Sequence, residues 1–131
     1  IWFMRQAGRY LPEFREIRSK NKNFIELCLN SQLSSKLTLQ PIERFDLDSA
    51  IIFSDILLIP YALGQNITFI KDQGPELSEF NLESFLDTDE RQFIKKLNPV
   101  YKAIEITRKK LNKKKIISCF LRRDIKSRRT G

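Results

Sequence analysis

Four consecutive apolar residues, Ala50-Ile51-Ile52-Phe53, constrain the fold of this chain more than any other feature. A strand with one wet face alternates apolar and polar side chains. A β-branched and aromatic run without alternation is the pattern of a strand buried on both faces, which is the situation of strands in a parallel sheet. Lys115-Ile116-Ile117 begins a second such strand, and Trp2-Phe3-Met4 has the character of the end of an earlier one.

The intervening residues have helical spacing. Pro12 and Glu13 fit a first helical turn, with Phe14, Ile17 and Arg18 on one side of it. Phe24, Leu27 and Cys28 continue that spacing beyond an Asn-rich break at 21–23, and another helix is expected from about Ser34 to Phe45. Asn66 to Ile70 followed by Asp72-Gln73-Gly74-Pro75 reads as a short extended piece and a turn, an excursion between strand and helix. Asn98-Pro99 is expected to be the N-cap and first position of a last helix. There Val100, Ile104 and Leu111 recur at helical spacing, and Lys and Arg gather where the helix dipole favours cations. Strand, helix, strand, helix, strand is an α/β arrangement with a parallel sheet. The pattern leaves open whether the sheet is doubly wound or part of a (β/α)8 barrel. No Gly-x-Gly-x-x-Gly follows any strand, which weighs against the dinucleotide-binding version.

With 131 residues, 41% of them hydrophobic and 31% charged, one core is the most the chain can build. The apolar stretch from Ala50 to Leu63 is interrupted by Ser54, Asp55 and Pro60. It falls short of the roughly 20 apolar residues that a spanning helix needs, and no membrane partner is expected. Ile1 to Met4 runs straight into Arg5, which is no signal peptide, so a cytoplasmic location is expected. A first residue of Ile rather than Met leads us to expect a few residues upstream. Cys28 and Cys119 have no Cys-x-x-Cys spacing and the chain has no histidine. A zinc site is therefore not expected, and the two thiols are expected to be reduced and buried.

The net charge of +8 raises the question of nucleic acid, but the charge is unevenly distributed. Residues 1–100 carry 12 Lys/Arg against 14 Asp/Glu, whereas residues 101–131 carry 12 against 2. Proteins that follow phosphates more often carry a basic face across the folded body, so nucleic acid is not the expected partner.

Arg5 and Arg9 lie four apart in a loop leaving one strand, and Asp55 stands just past another. In either parallel architecture both strand ends open onto the same rim. Two guanidiniums suit a substrate with several carboxylates, because the planar fork of donors matches a carboxylate and keeps its charge. The alternative is that Arg5 and Arg9 make surface ion pairs with residues such as Glu13 while Asp55 caps the next helix. Spacing alone favours the alternative, since exposed charge is usually just solvated.

The literal sequence adds a resemblance. Trp2-Phe3-Met4-Arg5-Gln6-Ala7-Gly8-Arg9-Tyr10-Leu11-Pro12-Glu13-Phe14 resembles the signature near the start of the uroporphyrinogen decarboxylase family. Leu37-Thr38-Leu39-Gln40-Pro41 and then Asp48 to Leu57 are similar to a second block of that family, and Ala62-Leu63-Gly64 and Gly74-Pro75 continue the likeness. The resemblance covers residues 1–117 and implies an incomplete (β/α)8 TIM barrel, its first strands and helices only. It implies decarboxylation of the four acetate groups of uroporphyrinogen to give coproporphyrinogen, in porphyrin and haem biosynthesis. It further implies that no metal or organic cofactor takes part, that the substrate is a small tetrapyrrole and that the intact family enzyme is a homodimer. Asp55 matches the family's catalytic aspartate. Arg5, Gln6, Ala7, Gly8 and Arg9 match its substrate-binding loop, the arginines holding carboxylates and one of them helping in proton transfer. Phe14 and Arg18 are lesser pocket candidates.

The family's tyrosine, serine and histidine from later strands have no counterpart in this sequence. Three strands of eight cannot close a barrel, so weak stability, aggregation and inactivity of the chain alone are expected. After Ile117 the likeness stops and residues 118–131 turn sharply basic, for which a reading-frame shift is the expected origin. Two rivals stand beside this reading. One is a fragment of the related corrinoid methyltransferases, which use zinc and thiol chemistry. The other is a basic protein whose tail binds nucleic acid.

Overall fold

The computed structural model describes residues 10–119. Trp2-Phe3-Met4, the Arg5 to Arg9 loop and the basic stretch after Cys119 lie outside the described residues. The chain divides into two compact units, residues 55–98 and the remainder on either side of them.

In the first unit, helix α1 (Pro12–Lys20) opens on a proline, which needs no amide partner there. It ends at Asn21, whose backbone N–H reaches the Ile17 and Arg18 carbonyls. Asn23 caps α2 (Phe24–Leu29) by accepting the Glu26 N–H. Helix α3 (Ser31–Phe45) begins three residues before the expected Ser34, because the Asn30 side chain takes the Leu33 N–H and makes Ser31 the first helical residue. It ends at Asp46, whose left-handed φ of 48° is one that Asp tolerates better than most residues. Helices α1 and α2 both pack on α3.

Strand β1 (Ser49–Ile51) follows. Its partner β4 (Ile116–Ser118) lies parallel to it with Ser49 opposite Ile116, Ala50 opposite Ile117 and Ile51 opposite Ser118. Further bonds from the Ile116 N–H to the Asp48 carbonyl and from the Ile52 N–H to the Ser118 carbonyl extend the ladder. The strand was expected to run to Phe53, but Phe53 has left the ladder and bonds to α3 side chains instead. One core cluster of this unit is Leu39, Ile42, Leu47, Ala50 and Leu111, with Ile117 packed against it, and Leu11, Leu27, Leu37 and Ile52 are buried as well. Each fully buried aliphatic side chain contributes about 1.5–3 kcal/mol of transfer free energy.

Helix α6 (Glu90–Lys110) corrects the expectation that Asn98 caps and Pro99 opens the last helix. It starts nine residues earlier, at Glu90 instead of Pro99. The Asp89 carboxylate accepts the Arg91 N–H at 3.0 Å and its carbonyl accepts the Phe93 N–H at 3.1 Å, so Asp89 fills the N-cap role. Pro99 lies inside the helix, where it has no N–H for the Lys95 carbonyl. Phe93, Leu97 and Val100 continue one helical face through it, so the spacing that marks the helix begins before the proline. Within the first unit the buried stripe is Val100, Ala103, Thr107 and Leu111, whereas Ile104 is only half-buried.

The second unit contains α4 (Leu58–Ala62), β2 (Ile67–Ile70), β3 (Gly74–Leu77) and α5 (Leu82–Leu86), followed by the start of α6. β2 and β3 form an antiparallel hairpin, with Ile67 opposite Leu77 and Ile70 opposite Gly74. The expected turn at 72–75 is shorter than foreseen, as Gly74 and Pro75 already belong to β3. Its reversal is made by Asp72 and Gly74, both at positive φ. The described residues thus hold a mixed helix and strand arrangement with one parallel and one antiparallel strand pair, and among them no sheet closes into a barrel. None of their helices is long and apolar enough to cross a membrane.

Candidate functional site

Arg5, Gln6, Ala7, Gly8 and Arg9 lead directly into α1 in sequence, and their own placement lies outside the described residues. On α1, Phe14 is buried, and its ring meets Phe53 edge to face at 5.7 Å. Phe24 meets Phe53 in the same way at 5.9 Å. Arg18 lies over the Phe24 ring at 5.6 Å, a cation–π distance, and donates to the Asn21 and Lys22 carbonyls at 2.7 Å each. It therefore closes the C-terminal end of α1 while facing a groove of about 460 Å³ lined by Phe14, Arg15, Arg18, Ser19 and Lys22. Among the described residues three cations and no carboxylate line this groove. Glu13, offered as an ion-pair partner for Arg5 and Arg9, has both oxygens engaged by Arg44 at 2.9–3.0 Å.

Phe53 is held at both of its backbone polar groups. The Ser34 hydroxyl donates to the Phe53 carbonyl at 2.7 Å, and the Phe53 N–H donates to the Thr38 hydroxyl at 2.8 Å. The Thr38 hydroxyl in turn donates to the Ser34 carbonyl at 2.8 Å, so no donor in the set is left over. Sequence reasoning missed this arrangement. Its signal was two hydroxyl residues four apart on a helix face otherwise rich in leucine. Gln40, on the same helix, is buried, and its amide oxygen has no hydrogen-bond partner among the described residues. At the carboxyl ends of β1 and β4, Ser54 Oγ stands 4.0 Å from Cys119 Sγ, and both Cys28 and Cys119 are buried thiols.

Asp55 begins the second unit and is half-buried. One carboxylate oxygen accepts the Leu57 N–H at 2.8 Å and its carbonyl accepts the Leu58 N–H at 3.1 Å, a turn that starts α4. Asp55 thus makes a local turn ahead of α4 but is not its cap as the alternative reading expected, because Leu57 holds the N-cap position. The other carboxylate oxygen bonds to none of the described residues, and a carboxylate has about four acceptor positions. Among the described residues no group of three or more His, Cys, Asp or Glu side chains is disposed to hold a metal ion.

The uroporphyrinogen decarboxylase family model matches residues 1–122. The chain belongs to this family. It is 50% identical over 121 residues to the uroporphyrinogen decarboxylase of Orientia tsutsugamushi (strain Ikeda), an overlap of 92% of this chain and 35% of that protein. It is 44% identical over 111 residues to that of Brucella ovis, covering 85% of this chain and 33% of the relative. The uroporphyrinogen decarboxylase of Brucella anthropi is 45% identical over the same length. The chain spans about a third of the length of these curated relatives. The family-like blocks read in the sequence all fall within the match, and two of them meet where Thr38 accepts the Phe53 N–H.

Proposed function

We propose that this chain carries the first part of the substrate site of a uroporphyrinogen decarboxylase, whose reaction removes the acetate carboxyl groups of uroporphyrinogen without a metal or organic cofactor. The observation that carries the reading is the cationic groove on α1, within the family-matched segment and immediately after the Arg5 to Arg9 loop. A substrate bearing many carboxylates suits such a surface, because guanidinium forks bind carboxylates through paired, charge-assisted hydrogen bonds. We assign carboxylate binding to Arg5 and Arg9, with Gln6, Ala7 and Gly8 forming the loop between them, and place Phe14 and Arg18 at the margin of the same substrate surface.

Loss of carbon dioxide from an acetate on a pyrrole leaves an electron pair that needs a sink. Protonating the ring first supplies it: the electrons of the breaking carbon–carbon bond flow into the cationic ring, the exocyclic carbon then takes up a proton to become methyl, and the ring gives back the proton it gained, so that one proton is consumed for each carbon dioxide released. Asp55 is assigned the stabilising role, its carboxylate accepting pyrrole N–H bonds and favouring positive charge on the ring. A guanidinium, with a pKa above about 12, is a poor general acid, so Arg5 and Arg9 are given binding rather than proton transfer. The division into a family segment to residue 117 and a frameshift-derived tail at 118–131, the cytoplasmic location and the homodimer of the intact enzyme belong to this proposal. Translating the DNA past the Ile117 codon in all three frames tests the division.

The chain by itself is expected to bind the polycarboxylate uroporphyrin I and to release no labelled carbon dioxide from carboxyl-labelled uroporphyrinogen. Release at the rate of a full-length relative would overturn the inactivity of the isolated chain. Failure to bind uroporphyrin I, with the chain folded by circular dichroism, would overturn the substrate surface.

A further inference from the structure

We infer that Ser34 and Thr38 are positioning residues for the cationic groove on α1, acting through Phe53; the inference rests on the substrate surface proposed above. Phe53 has just left the β1–β4 ladder, where both of its backbone groups would otherwise need new partners in a water-poor interior. Helix α3 supplies both. The three bonds joining Ser34, Thr38 and Phe53 are 2.7–2.8 Å long, and each of these residues is at most 9% exposed. With its N–H and carbonyl both fixed, Phe53 has little freedom to rotate about its backbone, so the direction of its Cα–Cβ bond is set and the ring is placed between Phe14 and Phe24.

That ring supports both sides of the groove. Its contact with Phe14 holds a residue that lines the groove, and its contact with Phe24 holds the ring over which the Arg18 guanidinium lies. A shift of the Phe53 backbone therefore displaces an apolar wall and a cation together. Replacing Thr38 by Val keeps the shape and only removes the second, side-chain bond to the Ser34 carbonyl, but it leaves the buried Phe53 N–H without an acceptor, which drives the backbone toward another arrangement. Replacing Thr38 by Ser keeps both bonds. Thr107 provides a control of the same kind: its buried hydroxyl donates to the Ala103 carbonyl at 2.7 Å and lies 3.1 Å from Ser35 Oγ, so its loss disturbs the interior without touching Phe53.

The test is equilibrium binding of fluorescent uroporphyrin I to the full chain at about 0.15 M salt, with folding of each variant followed by circular dichroism. Thr38→Val is expected to weaken binding about tenfold, and Thr38→Ser to restore it. Thr107→Val is expected to leave the affinity unchanged. If Thr38→Val does not fold, Ser34→Ala removes only the donor to the Phe53 carbonyl and is expected to weaken binding about threefold. Wild-type affinity in a folded Thr38→Val or Ser34→Ala variant overturns the inference, as does equal weakening by Thr107→Val, which would reduce the effect to general stability. Arg18→Gln separates this from the parent reading: if it binds as the wild type does, the groove is not a carboxylate surface and the substrate assignment itself fails.

Discussion

Strands β1 and β4 pack against Leu39 and Ile42 of α3 and Leu111 beyond the end of α6, and hydroxyl groups occupy the polar backbone positions that the short ladder leaves open. The β2–β3 hairpin and the helix after it are built differently. Phe69, Ile70, Leu77, Phe80, Leu82, Phe85 and Leu86 are all exposed, and α5 has no buried residue. The two regions are similarly provided with apolar side chains but differ in how they use them. A parallel pair joins strands distant in sequence and forms only when the chain between them brings a shared core together. A hairpin joins strands adjacent in sequence through backbone bonds and a turn, so its pairing does not require a core shared with distant segments. The lesson is that apolar content did not decide which region became a core; connectivity did.

The largest test of this contrast compares two leucine truncations. Leu47→Ala, at a site 1% exposed, is expected to cost about 2–5 kcal/mol in urea unfolding, and Leu86→Ala, at a site 70% exposed, within about 0.5 kcal/mol of nothing. Comparable losses would break the comparison. A finer test uses two helix caps of the same chemistry, one in each region. Asn30 accepts the Leu33 N–H at the start of α3, and Asn81 accepts the Ser84 N–H at the start of α5. Asn30→Ala is expected to lower global stability by about 1 kcal/mol. Asn81→Ala should fray α5 in amide exchange and leave the unfolding midpoint in place, because α5 contributes no buried side chain to the cooperative unit. A shift of the midpoint by Asn81→Ala as large as that from Asn30→Ala would show that the exposed region unfolds with the core.

The smallest effect is electrostatic and lies on the surface of the well-packed unit. The hydrogen bond from Lys20 and its charge hold the Glu16 carboxyl below its ordinary range. A depressed carboxyl contributes stability above its unfolded pKa and loses it as pH falls through the folded value. The carboxyl carbon of Glu16, followed by NMR, should titrate at higher pH in Lys20→Gln, while thermal stability hardly changes at such an exposed pair. An unmoved titration would remove Lys20 as the cause.

The features legible in the sequence were those carried by local chemistry. Pro12 marked the start of α1, the unbroken apolar run marked β1, and the Arg5 to Arg9 and Asp48 to Leu57 blocks identified the family directly. Pro99 misled, because a proline is more at home in a first turn than in a helix interior, and the Phe93, Leu97, Val100 spacing across it was the better guide. Thr107 rather than Ile104 lies on the buried stripe because its hydroxyl is satisfied by the Ala103 carbonyl one turn back and approaches Ser35. The Asp55 turn was open to reading as an acid followed by a helix, whereas the use of Arg18 as a closing group for α1 was not.

By itself, then, the sequence determined the family, the α/β character and the start of α1, whose proline acts within its own first turn. Only the tertiary structure decided which hydroxyls hold Phe53, which face of α6 is buried and which apolar side chains remain outside. Those outcomes depend on partners 15 to 72 residues away along the chain, whose approach no local pattern of residue types encodes.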